Sequence, residues 1–242
     1  MDYLWVFFTA VSGGFLQSII GFGMGVIAMA LFSLFFDYMP YAAAVSMLIT
    51  LAGGIWMMRG GRWRKANIKK MLPVIIVYFT IMPIFNYLST KLPKNIFGIA
   101  LAAVLIVLAL MNIFFEGKVR LKANLASAIS IGILAGILGG MFNMSGSAVV
   151  FYCLAVFDNK DEYMSSIQAY YVITNIYGVV VRYMNGLLTH QVLLWGAAGI
   201  AGMIVGMLLG SIVYGKLSFP TLRKWVYAFI GVSGIWMIIQ NV

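Results

Sequence analysis

The stretch FLQSIIGFGMGVIA, residues 15–28, carries Gly21, Gly23 and Gly25 at alternate positions inside an otherwise apolar run. A second such stretch, GILGGMFNMSGSAV, occupies residues 136–149. Glycine in a helix interior costs ~1 kcal/mol relative to alanine. Both apolar runs are therefore expected to break at their glycines rather than continue as single helices.

The surrounding composition names the solvent. Of 242 residues, 63% are hydrophobic and 9% charged, against about 25% charged in a soluble domain. The chain reads as an all-α integral membrane protein, with the lipid bilayer as its first partner. No basic n-region and no small-residue cleavage site precede the first apolar segment, which is expected to stay in the mature protein. The net charge of +10 flanks apolar segments, so it marks topology and lipid headgroups rather than nucleic acid. Cys153 stands alone within an apolar segment, which leaves no disulfide framework and no metal cluster. No cofactor and no metal are implied.

Eight apolar segments run at roughly 3–36, 38–58, 71–90, 94–115, 124–157, 162–184, 187–214 and 220–240. A bilayer crossing takes about 20 residues. The first and fifth are too long for one crossing and short for two. The order of one long and three medium segments occurs twice, predicting two repeats at 1–118 and 119–242.

Charge selects how the long segments run. If each crosses once, ten Lys and Arg share the side of the Arg59–Lys70 cluster and six lie opposite. If each turns back to the side it came from, the division is thirteen to three. The positive-inside rule prefers the second. Two inverted repeats follow, each a re-entrant broken helical hairpin plus three transmembrane helices. In that reading the glycines sit at the folds near the membrane centre, covered by protein or a wet cavity.

The folds bring polar company: Gln17 and Ser18 in the first, Asn143, Ser145 and Ser147 in the second. Half-helix N-termini at midplane offer free N–H groups and partial positive charge, which suits an anion. The candidate substrate-binding set is Gln17, Ser18, Gly21, Phe22, Gly23, Gly25, Asn143, Ser145, Gly146 and Ser147. Segment 6 adds Gln168 and Asn175, seven residues apart on one helix face. Tyr152 and Tyr170 lie within reach of the same cavity. Gly202, Gly206 and Gly210, and likewise Gly132, Gly136 and Gly140, have the spacing of close helix contacts, which would also suit a homodimer.

All six acids, Asp2, Asp37, Glu116, Asp158, Asp161 and Glu162, fall at segment ends or in loops, and the one histidine is His190. Arg182 is counted with the loops. No buried acid offers a proton relay, and a divalent-metal permease lacks its ligands. A monoanion needs no relay to leave a cell, because an inside-negative potential drives it outward by ~2.3 kcal/mol per charge per 100 mV.

The strings GGFLQSIIGFGMGVIAMALF (13–32) and GILAGILGGMFNMSGSAVVFYCL (132–154) resemble the two glycine motifs of the TauE/SafE family of permeases, the sulfite exporter family. Ser145, Gly146 and Tyr152 match the second motif, whereas Ser147 and Ala148 replace its two prolines. The resemblance covers nearly the whole chain. It implies a secondary transporter of a prokaryotic plasma membrane that exports a small sulfur-containing anion such as sulfite or an organosulfonate. A passive anion channel is the alternative. An intramembrane serine hydrolase is disfavoured: Asn143-Met144-Ser145-Gly146 only loosely resembles a G-x-S-G nucleophile site, and His190 is placed near a membrane surface. The chain is not expected to be an enzyme.

Overall fold

The computed structural model describes residues 3–59, 61–115 and 124–213. These residues form helices and no strand. In order they are α1 (Tyr3–Ile20), α2 (Met24–Phe32), α3 (Met39–Met57), a 3-10 turn (Arg62–Lys65), α4 (Ile68–Lys91), α5 (Lys94–Phe115), α6 (Leu125–Phe142), α7 (Gly146–Val156), α8 (Lys160–Met184) and α9 (His190–Val213). Five of them, α1, α3, α4, α6 and α9, are long and apolar enough to cross a membrane. The segment predicted at 220–240, and the basic residues Lys118, Arg120, Lys122, Lys216, Arg223 and Lys224, lie outside the described residues.

Both long segments break at their glycines. α1 and α2 are separated by Gly21 and Gly23, which adopt φ of 84° and 114°, a region that costs glycine nothing. α6 ends at Asn143, the one described non-glycine residue with positive φ (56°). Asparagine tolerates this conformation better than most residues.

The arms are unequal, a departure from the expected pair of half-helices. α1 and α6 each have 18 residues, ~27 Å at ~1.5 Å per residue. α2 and α7 have 9 and 11. Each long segment therefore goes in as a nearly full-length helix and returns on a short one.

Contacts at the helix ends fix which face each arm reaches. Trp5 at the start of α1 stacks on Phe35 beyond α2, with ring centroids 4.8 Å apart. Asp37 pairs with Lys94 at 2.9 Å, on that same face. On the opposite face, Lys65 pairs with Asp161 at 2.7 Å. Lys70 Nζ donates to the Val156 carbonyl at the end of α7. The latter face holds the Arg59–Lys70 cluster and is called the basic face below. Three helices start there, each capped by an asparagine whose side chain accepts from the first turn: Asn67 for α4, Asn124 for α6 and Asn159 for α8.

Small residues set the helix pairing. Gly202, Gly206 and Gly210 of α9 lie directly on the α1 backbone at Phe7, Val11 and Phe15. Gly132, Gly136 and Gly140 of α6 lie on α4 at Val77, Ile81 and Met82. In both pairs the helices run parallel. The glycine faces that would suit a homodimer are thus occupied within the chain. α4 continues through Pro73 and Pro83.

Candidate functional site: a cavity between two glycine turns

The two turns meet. A Cβ on Gly25, in the first turn of α2, would strike the backbone oxygen of Asn143. One on Gly146, opening α7, would strike the Tyr171 hydroxyl. Only glycine admits these approaches. Between the turns lies a cavity of about 10 Å³, lined by Gln17, Gly23, Gly25, Thr50, Asn143, Ser147 and their neighbours. That is the room roughly one water needs, so in this conformation the site is closed around any larger ligand.

Side chains hold each turn in place. Gln168 of α8 donates its amide to the Gly21 carbonyl at 2.6 Å. Its own oxygen accepts from Gln17 at 3.1 Å. This chain fixes the amide orientations, because reversing either would set two oxygens face to face. Gln17 Oε1 is left buried without a partner. Tyr163 donates to the Ile20 carbonyl at 3.2 Å. In the second turn, Asn143 Nδ2 donates to Ser46 at 3.1 Å and to Thr50 at 3.5 Å. Ser147 donates to the Met144 carbonyl.

Two helix N-termini face the cavity. Neither Gly23 before α2 nor Ser145 before α7 supplies a side-chain cap. The first-turn amides of α2 therefore remain as donors, the arrangement that receives anions at helix starts.

Not every predicted residue comes to this point. Ser18 turns away, donating to the Phe15 carbonyl at 2.8 Å. Tyr152 donates to the Lys70 carbonyl at 3.1 Å, near the basic face. Phe22 and Asn175 are buried but do not line the cavity. Ser145 is buried at the turn but does not line the cavity, while His190 is exposed at the start of α9. The structure gives Ser145 no histidine partner among the described residues. Tyr170 packs edge-on against Tyr78 at 5.9 Å.

Ser18 instead lines a larger cavity of about 530 Å³ on the basic face, together with Arg59, Arg62, Lys65, Asp161 and Ser165. Arg59 lies 4.2 Å over the Trp56 ring, and Arg62 donates to the Met57 carbonyl. Gln17 and Ser18 are consecutive on α1, so one turn of helix touches both cavities.

One residue overturns its sequence reading. Arg182, counted with the loops, is wholly buried. Its Nη2 donates to the Gly139 and Gly140 carbonyls at the end of α6, at 3.1 and 3.2 Å. Its place close to the end of an apolar segment gave no hint of burial, which comes from packing against helices distant in the chain, α6 among them.

The family profile described as sulfite exporter TauE/SafE matches residues 6–237. The chain belongs to the TauE/SafE family. Within it, a probable membrane transporter protein of Methanocaldococcus jannaschii is 22% identical over 93% of this chain and 91% of its own length. A probable sulfite/organosulfonate exporter TauE of Cupriavidus necator is 23% identical over 94% and 90%. No solved structure matches. TauE/SafE membership makes the chain a membrane transporter, and the helices long enough to span agree with that.

Proposed function

We propose that this TauE/SafE protein exports a small sulfur oxyanion or organosulfonate across a prokaryotic plasma membrane. The anion is held between the Gly21–Gly25 and Asn143–Ser147 turns. The observation that carries this reading is the convergence of the two glycine turns on one small cavity, with the uncapped start of α2 beside it. Neutral donors there bind an anion without the fixed charge that would slow its release. The basic cavity at Arg59, Arg62 and Lys65 gathers anions on the side from which export starts. The relative named as a sulfite/organosulfonate exporter points to the same substrate class.

Transport in this reading is alternating access between inverted repeats at 1–118 and 119–242. What supports the repeats is the pairing of helices: α1 on α9 corresponds to α6 on α4 when the halves are exchanged. The first hairpin also opens toward the Asp37 face and the second toward the basic face. A cavity the size of one water fits an intermediate in which the turns have closed.

Purified protein in nanodiscs tests the substrate class directly. Sulfite, sulfoacetate or thiosulfate should bind saturably and acetate weakly, with affinity reduced in Ser147→Ala. Equal binding of acetate and sulfite, or of wild type and Ser147→Ala, would refute the cradle.

A further inference from the structure

Among the described residues, Arg182 is the one charged side chain the fold buries completely. Its Nη2 is occupied by two carbonyls at the end of α6. Its Nε and Nη1 are buried with no partner. A guanidinium carries five donor hydrogens and is never neutral in proteins, so most of its bonding capacity is unspent.

No described carboxylate balances the charge. Asp37 pairs with Lys94, Asp161 with Lys65, and Glu162 lies 3.6 Å from Lys70. Asp158 is exposed. The α6 carbonyls supply only the partial negative charge of a helix end, roughly half a unit. An ionisable group placed within a membrane fold without a counter-charge is expensive, and such groups mark ion pathways.

Its position gives that charge a use. α8 starts at the basic face, where Asp161 meets Lys65, and reaches Arg182 in its last turn. Gln168, which holds the first glycine turn, lies 14 residues earlier, ~21 Å along the helix. Gly178, one turn before Arg182, packs against Met47 and Met82 and lies 3.7 Å from Nη1 by its Cβ direction. Met47 adjoins Ser46, the partner of Asn143. The Arg182 backbone therefore lies one helical turn past Gly178 toward the face opposite the basic one, with its guanidinium beside the Asn143 turn. The cavities offer an anion three cations at the basic face and neutral donors at the centre, and Arg182 adds a fixed charge beside the second turn.

We propose that Arg182 is the fixed charge of a second oxyanion station, between the central cavity and the face opposite the basic one. Its Nε–H and Nη1–H bind the sulfur oxyanion on its way out, while Nη2 keeps α6 capped. The inference rests on the anion-carrier reading above and adds to it a charged exit site.

The test uses the full chain in nanodiscs, with radiolabelled sulfite as probe, comparing wild type, Arg182→Gln and Arg182→Lys. Arg182→Gln should weaken sulfite binding by about tenfold or more, the scale of a charge-assisted hydrogen bond. Arg182→Lys should recover a large part of the loss. Wild type that binds no sulfite would overturn the proposed function and this inference together. Wild type that binds while Arg182→Gln matches it would overturn this inference alone. Should Arg182→Gln not fold, the wild-type arginine Nε–H resonance that is missing from Arg182→Lys decides. It shifts saturably with sulfite if Arg182 holds the anion, and it stays fixed if Arg182 only caps α6.

Discussion

Gly25 rests against the backbone oxygen of Asn143, so closely that any Cβ at position 25 would collide with it. This is the point at which the two halves of the chain touch through their turns. The obstacle is backbone, which cannot swing aside as a side chain would. Gly25→Ala is therefore expected to push the turns apart, at a cost of ~1–3 kcal/mol of overpacking. Thermal unfolding in detergent should show a lowered midpoint and flux should fall. Gly23→Ala offers the contrast: its nearest neighbours stand at 3.8 Å, so its penalty comes from φ 114° alone, ~1–3 kcal/mol of backbone strain.

Gln168 and Gln17 form a directional pair, and their substitutions should differ. Gln168→Ala strips the Gly21 carbonyl and the Gln17 amide of their partners at once. Gln17→Ala leaves only the Gln168 oxygen unmet and removes an already orphaned acceptor. A buried polar group without a partner costs ~1–3 kcal/mol. Gln168→Ala should be the more damaging to stability and to transport, and a reversed order would show that the relay does not hold the turn.

The arms of the hairpins predict accessibility. A cysteine at Asp37 or Tyr38 should react with a membrane-impermeant reagent from one side of the membrane, and one at Asp158 or Asp161 from the other. The native Cys153 is buried, 3.7 Å from the Met71 sulfur, and should contribute no background. Labelling of both positions from the same side would refute the return of the chain in the long segments.

The basic cavity should act on capture rather than turnover. Replacing Arg59 and Arg62 together by glutamine should raise the KM for anions presented at the basic face by roughly tenfold at low ionic strength, with kcat little changed. The difference should shrink as salt is added, because the Debye length falls to ~8 Å near 0.15 M. A defect independent of salt would assign these arginines to structure.

The hairpins were readable because about 34 apolar residues fit neither one crossing nor two, and because glycine is the poorest ordinary helix former. That Gly202, Gly206 and Gly210, and likewise Gly132, Gly136 and Gly140, make close helix contacts was readable from small residues every fourth position, but that their partners are α1 and α4 was not. The roles of Ser18 and Tyr152 were not. Both are adjacent to motif residues in sequence, but the 100° step of a helix turns Ser18 toward α9, and the length of α7 carries Tyr152 down to Lys70. Arg182 was hidden for a different reason. Its closeness to a segment end resembles a loop position, and its burial depends on contacts made more than 40 residues away in the chain.

The proposed path of the anion runs between the two glycine turns. Its most direct test is sulfite flux in liposomes of purified protein under an imposed potential, comparing wild type with Gln168→Ala and Gly25→Ala. Wild type should show saturable, potential-sensitive flux with counterflow, and Gln168→Ala and Gly25→Ala, where folded, should show strong loss. Sulfite flux that is absent in wild type, or that is untouched by opening either turn, would contradict it.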